Sequence, residues 1–135
     1  MLDAYLVPEK TPITAKGDSQ PLDISASGGH VFLLTLLVTS VVEQESIEIS
    51  VFTSPDAATW SPKPAASLPQ KFYPGEYPLL LDLSSAPDAK FVRAHWEVTR
   101  WGRGPTAPKF EIALRLREVP EESLREAQAE AQTLR

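Results

Sequence analysis

Two histidines, His30 and His95, and eighteen carboxylates are the residues of this 135-residue chain that could hold a metal or carry a proton near neutral pH. A metal centre needs three or four such ligands brought together, and local motifs announce them by fixed spacing. Neither histidine has an aspartate, glutamate or histidine at ligand spacing, so both read as surface residues. The chain carries no glycine-rich phosphate loop, no G-x-S-x-G elbow and no H-E-x-x-H pattern. Asp56, Asp82 and Asp88 are scattered rather than set at D-x-D-x-D spacing, which argues against a built calcium loop. No pair of acids is singled out by a motif. The expectation is a protein that is not an enzyme and needs no cofactor or metal.

Residues suited to contact are easier to find. Residues 99–109, TRWGRGPTAPK, carry Trp101 with Arg100, Arg103 and Lys109 and no acid at all. Tryptophan and arginine are enriched at the energetic centres of interfaces. Three readings stay open for this loop: Trp101 packs over the end of the domain, it meets another subunit, or it stacks on a sugar or a single-stranded base. A second candidate is KFYPGEYP, residues 71–78, where Tyr73 and Tyr77 flank a Pro-Gly turn. The two rings could line a sugar site, or equally anchor the loop.

The bulk numbers narrow the classes further. There is no cysteine, so disulfides and thiolate sites are excluded. A net charge of −5 and a pI near 5.0 argue against a general nucleic-acid binder. The longest apolar run, residues 31–38, is interrupted by Thr35 and is far too short to span a membrane. The N-terminal residues lack the basic and apolar regions of a secretory signal, so the expected location is the cytoplasm, or a virion after assembly.

The elements that must position these residues read as strands. Thirteen prolines predict many turns rather than long helices. Residues 1–21, with Pro8, Pro12 and Pro21, read as an extended arm with one short strand around Ile13. The arm would lie along its own sheet edge or reach a neighbour. Residues 22–25 read as a short strand and 27–29 as a turn. Residues 31–42, VFLLTLLVTSVV, form a central strand with apolar residues on both faces. Ile47, Ile49 and Val51 alternate with Glu48, Ser50 and Phe52, and the polar Gln44 and Glu45 mark a connection. Residues 31–53 therefore read as an antiparallel hairpin.

Further on, residues 79–83 form a short strand. Val92, Ala94, Trp96 and Val98 face opposite to Arg93, His95 and Glu97, and Phe110, Ile112, Leu114 and Leu116 opposite to Glu111, Arg115 and Arg117. Such period-two alternation means a sheet buried on one face and wet on the other. None of these predicted strands contains a proline. Seven or so strands without intervening helices predict an all-β, antiparallel β-sandwich of jelly-roll type over residues 22–118.

Residues 119–135 change character. After Pro120 the sequence EESLREAQAEAQTLR has two acids in its first turn and an arginine at its end, which suits a helix dipole. Leu124, Ala127, Ala131 and Leu134 make a thin apolar stripe at coiled-coil-like spacing. A lone helix of this length is marginal in water. It docks on the sandwich, pairs with copies of itself, or frays.

The stretch SIEISVFTSPDAATWSP and the later segment LLLDLSSAPDAKFVR resemble small β-sandwich proteins of phage and prophage structural regions. They also resemble galactose-binding and discoidin-like jelly rolls. The pattern is S-x-D-G-x-x-W, carried here by Ser54, Asp56 and Trp60, followed by Asp82-Leu83-Ser84 and then Phe91-Val92-Arg93. The resemblance covers residues 31–117. Ala57 replaces the glycine of the pattern, so a type I turn without positive φ is expected, with Asp56 accepting backbone N–H bonds. Trp60 is then a structural cover for the sandwich end, and Arg93 pairs with an acid on the wet face.

These readings converge on a non-catalytic structural or assembly protein that self-associates, such as a virion-like decoration or tail component. The virion part is implied by the resemblance alone. The alternative is a carbohydrate-binding module using exposed aromatics. Expected partners are copies of itself or a larger protein assembly, or else a glycan, with no nucleic acid and no membrane. The candidate contact residues are Tyr73, Tyr77, Arg100, Trp101, Arg103, Lys109, Leu124 and Leu134.

Overall fold

A computed structural model describes residues 2–27, 29–41, 45–100 and 109–120, and the regular elements among them are all strands. In chain order these are β1 (Asp3–Ile13), β2 (Gly17–Asp18), β3 (Leu22–Asp23), β4 (Val31–Val41), β5 (Glu45–Ser54), β6 (Ala66–Lys71), β7 (Gly75–Asp82), β8 (Phe91–Arg100) and β9 (Phe110–Glu118). One sheet has the order β1-β9-β4-β7. The other runs β2-β8-β5-β6, with β3 also paired to β8. Every pairing is antiparallel. The helix expected over residues 119–135, with Leu124 and Leu134, falls outside the described residues beyond Pro120.

The alternation explains why the two sheets meet. Phe32, Leu34, Leu36 and Val38 of β4 and Ile112, Leu114 and Leu116 of β9 are buried in one cluster with Ile47, Ile49 and Val51 of β5 and Val92 and Ala94 of β8. Each strand thus turns its apolar row inward, and the rows of one sheet cover those of the other. The result is an all-β, sandwich-like architecture with a single core.

The hairpin expected over residues 31–53 does not form. β4 pairs with β7 and β9, whereas β5 pairs with β6 and β8 in the other sheet. A hairpin would set the two apolar rows side by side; the crossing sets them opposite each other. Both arrangements satisfy the same alternation, so the pattern alone does not choose between them. Only β2–β3 and β5–β6 stay within one sheet, and every other connection crosses.

The N-terminal residues differ from a loose arm with a short strand. β1 is eleven residues long and pairs with β9 from Asp3↔Arg117 to Ile13↔Phe110. It contains Pro8 and Pro12, and β6 and β7 contain Pro69 and Pro78. All three strands are outermost in their sheets, where a missing N–H leaves no ladder bond unmade. The register slips between Val7 and Thr11, and Lys10 takes a φ of 60° within that bulge. The threonine hydroxyl of Thr11 donates to the Pro8 carbonyl at 2.6 Å, closing the kink.

The turn after β5 also departs from expectation. Ala57 has a φ of 62°, the left-handed conformation that glycine fills in the resembled pattern. Asp56 Oδ1 makes that turn possible by accepting the N–H groups of Ala58 at 2.9 Å and Thr59 at 2.8 Å, and the Ser54 hydroxyl at 3.0 Å. These donors hold the Asp56 carboxyl below its ordinary pKa, the Thr59 N–H most of all. The Cβ of alanine is strained there by about 1–2 kcal/mol, and glycine gives part of that back through its greater loss of backbone entropy. Ala57→Gly is expected to stabilise the fold by about 0.5–1 kcal/mol, read as a thermal midpoint raised by a few degrees.

Candidate functional site

Three groups of side chains outside the core are held in defined geometry. The first is an aromatic knuckle at residues 71–77, where the chain leaves β6 for β7. Tyr73 is 74% exposed and Phe72 39%, and their rings lie 6.4 Å apart at 54°. The Tyr77 hydroxyl donates to the Tyr73 carbonyl at 2.6 Å. The Lys71 ammonium sits 4.7 Å from the Tyr77 ring centroid, which adds a cation–π contact. Gly75 lies against the same ring, where a Cβ would stand 3.4 Å from the Tyr77 hydroxyl oxygen. Tyr77 is therefore the brace of this turn, and Tyr73 is the ring it presents to solvent.

The second group is the root of the loop between β8 and β9. Arg100 closes β8 in register with Glu45, the first residue of β5. Trp101 and Arg103 lie outside the described residues. Lys109 is exposed, and its backbone N–H donates to Glu45 Oε2 at 2.7 Å. Glu45 itself is only 1% exposed. Read as part of a polar connection, it is instead a buried carboxylate inside a strand. Its placement follows from its neighbours: it opens β5 directly beneath a loop that carries only positive charge. That acid-free loop was the signal that a buried counter-charge stands nearby.

The third group lies on the wet face of β8. His95 meets Asp18 Oδ1 through Nδ1 and Glu97 Oε1 through Nε2, each at 2.9 Å. Sequence spacing gave no such pairing, because Asp18 arrives from β2, whose register sets it opposite His95. Trp96 Nε1 donates to the Ala15 carbonyl at 3.1 Å, and Gly17 packs on the indole so closely that a Cβ would meet Nε1 at 3.2 Å. These contacts hold the N-terminal crossover onto β8. Arg93 approaches the same Asp18 at 3.7 Å, and its guanidinium lies 4.4 Å from the Trp60 ring centroid. Trp60 thus takes Arg93 as a lid on one side of its ring. Ser61, next in the chain, receives the Thr53 N–H on its hydroxyl at 3.2 Å.

Chemically, the histidine array is a clasp rather than a metal centre. Both imidazole nitrogens are engaged by carboxylates, and no group of three or more potential ligands occurs among the described residues. Asp82 is likewise spent on its own turn, accepting the hydroxyl of Ser84 at 2.6 Å and its N–H at 2.9 Å.

Two outcomes test these placements. Glu45→Ala should cost about 1–3 kcal/mol in denaturant unfolding, since the Lys109 amide loses a buried acceptor, and Glu45→Gln should cost less. The His95 pKa is raised, first by the bond to Glu97 and then by Asp18, against some desolvation. A raised folded-state pKa means that the clasp contributes fully below the ordinary value of about 6.5 and is lost as pH rises through the higher folded value. With both acids exposed, the contribution is that of a surface pair, about 0.2–1 kcal/mol. The thermal midpoint of the native protein should therefore fall slightly more than that of His95→Gln between pH 6 and pH 8.5.

Comparison of the chain with family models, with curated proteins and with solved structures returned no match, so the functional reading rests on these surfaces.

Proposed function

We propose that this chain is a non-catalytic structural or assembly protein: a self-associating sandwich of jelly-roll type, used as a decoration or tail component of a virion-like particle. It acts by contact with copies of itself, in the cytoplasm and then on the particle. The observation that carries this reading is the rigid, outward Tyr73. A side chain 74% exposed gains nothing from the fold itself, yet its carbonyl is fixed by the Tyr77 hydroxyl and Tyr77 is capped by Lys71. A ring held in place before any partner arrives loses little entropy on contact, which is what an interface anchor requires. β1 is committed to β9 of its own sheet, so the load of self-association moves from the N-terminal residues to this knuckle.

A second reading is favoured by the same feature. Tilted rings such as Phe72 and Tyr73 also suit the apolar face of a sugar, which would make the protein a carbohydrate-binding module.

Light scattering on the intact protein and on Tyr73→Ala separates the two. Self-association predicts a fixed oligomer for the native chain, and an assembly midpoint moved to at least about tenfold higher concentration in the variant. A native chain that stays monomeric at every concentration overturns it. Sugar binding predicts that monomer, together with loss of polysaccharide retention in the variant. Because Tyr73 is exposed, the substitution should change stability by no more than about 0.5 kcal/mol.

A further inference from the structure

The outer face of the β1-β9-β4-β7 sheet is more apolar than a face left to water. Leu33 stands in register with Leu80 on one side and Arg117 on the other, Thr35 with Pro78 and Arg115, and Leu37 with Glu76 and Ala113. Leu80 is 51% exposed. With Tyr5 these residues line an open groove of about 440 Å³. Asp3 receives the Arg115 guanidinium in a bidentate pair, Nε to Oδ1 at 2.8 Å, so that charge is already matched. Arg117 is an exposed cation at the Leu33 end, and Glu76 an exposed anion at the Leu37 end.

The chain leaves the described sheet at the mouth of this groove. Glu118 N–H donates to the Leu2 carbonyl at 2.8 Å and Val119 N–H to the Val31 carbonyl at 2.9 Å, which pins the strand to its last residues. Val119 and Pro120 then line a smaller hollow of about 220 Å³ together with Leu33 and Arg117. Beyond Pro120 the chain continues into the helix-favouring sequence of residues 121–135, with its stripe of Leu124, Ala127, Ala131 and Leu134.

We propose that residues 121–135 form a helix that lies in this groove of the same chain, running back from Pro120 toward Glu76. Dimensions, charge and connection all fit. Leu124 and Leu134 are about 15 Å apart along a helix, and Leu33 and Leu37 about 13 Å apart along β4. The acidic first turn, Glu121 and Glu122, falls beside Arg117, and Arg135 falls toward Glu76. A connection of two or three residues is ordinary between a strand and a helix packed on it. Tethered so closely, the segment meets its own groove at an effective concentration in the millimolar range or above, ahead of any second copy. Helix and groove each lack a cover for their apolar rows, and each supplies the other's.

Hydrogen exchange on the full-length protein, dilute and concentrated, tests this. Amides of residues 124–134 should exchange at least about tenfold more slowly than in a free peptide, at every protein concentration. Leu37→Glu in the groove and the double change Leu124→Asp, Leu134→Asp in the segment should each abolish that protection and leave β9 amides protected. Leu80→Asp, at an exposed edge position, serves if Leu37→Glu fails to fold. Free-peptide exchange in the native protein overturns the proposal, as does protection that survives the groove substitutions. Protection lost on dilution assigns the groove to the segment of a second copy, and overturns it too.

Discussion

The fold depends on one constraint: each sheet has a row of β-branched and aliphatic side chains that water does not solvate well, and the facing sheet covers it. Ile112, Leu114 and Leu116 of β9 and Ile49 and Val51 of β5 reach almost complete burial only because the sheets lie face to face. Burial of this kind is worth roughly 1.5–3 kcal/mol for each large aliphatic side chain, which makes it the dominant favourable contribution here. β9 is central to the arrangement, since it pairs with β1 on one side and β4 on the other. With this core in place, the turns need only solve local problems. Asp23, Asp56 and Asp82 do so in the same way, each carboxylate accepting bonds from residues two positions on.

Alternation made the strands and their buried faces legible before the structure. The inward rows of β5, β8 and β9 lie where the period-two pattern placed them. Pairing was not legible, because alternation records which face is buried and not which strand lies alongside. Residues 31–53 show this: two correct strands, joined across the core instead of within one sheet. Proline was misleading for a related reason. Pro8, Pro12, Pro69 and Pro78 speak against central strands, yet sit comfortably in edge strands, and sequence does not say which strand is at an edge. The same prolines protect those edges from pairing with another sheet.

Contact residues were legible in type and less so in role. Tyr73 and Tyr77 read as an equivalent pair, but one is exposed and the other braces it, because Tyr77 lies in β7 with its hydroxyl turned to the preceding turn. Glu45 and the Asp18–His95–Glu97 clasp were invisible for a topological reason. Each joins residues far apart in sequence that meet only when β2, β5, β8 and the β8–β9 loop are assembled. Ala57 is a reverse case: the residue type argued against positive φ, and the bonds to Asp56 impose it.

The central claim is that this sandwich works through a surface it keeps rigid and unsatisfied, with Tyr73 at its centre. Oxidative footprinting of the tyrosines over a range of protein concentrations addresses it directly, because the chain carries its own control. Tyr5 is also exposed and lies on the other sheet, bonded through its hydroxyl to Glu9. The account predicts that Tyr73 is labelled readily in dilute solution and becomes protected on concentration, while labelling of Tyr5 stays constant. Equal labelling of Tyr73 at every concentration would contradict it.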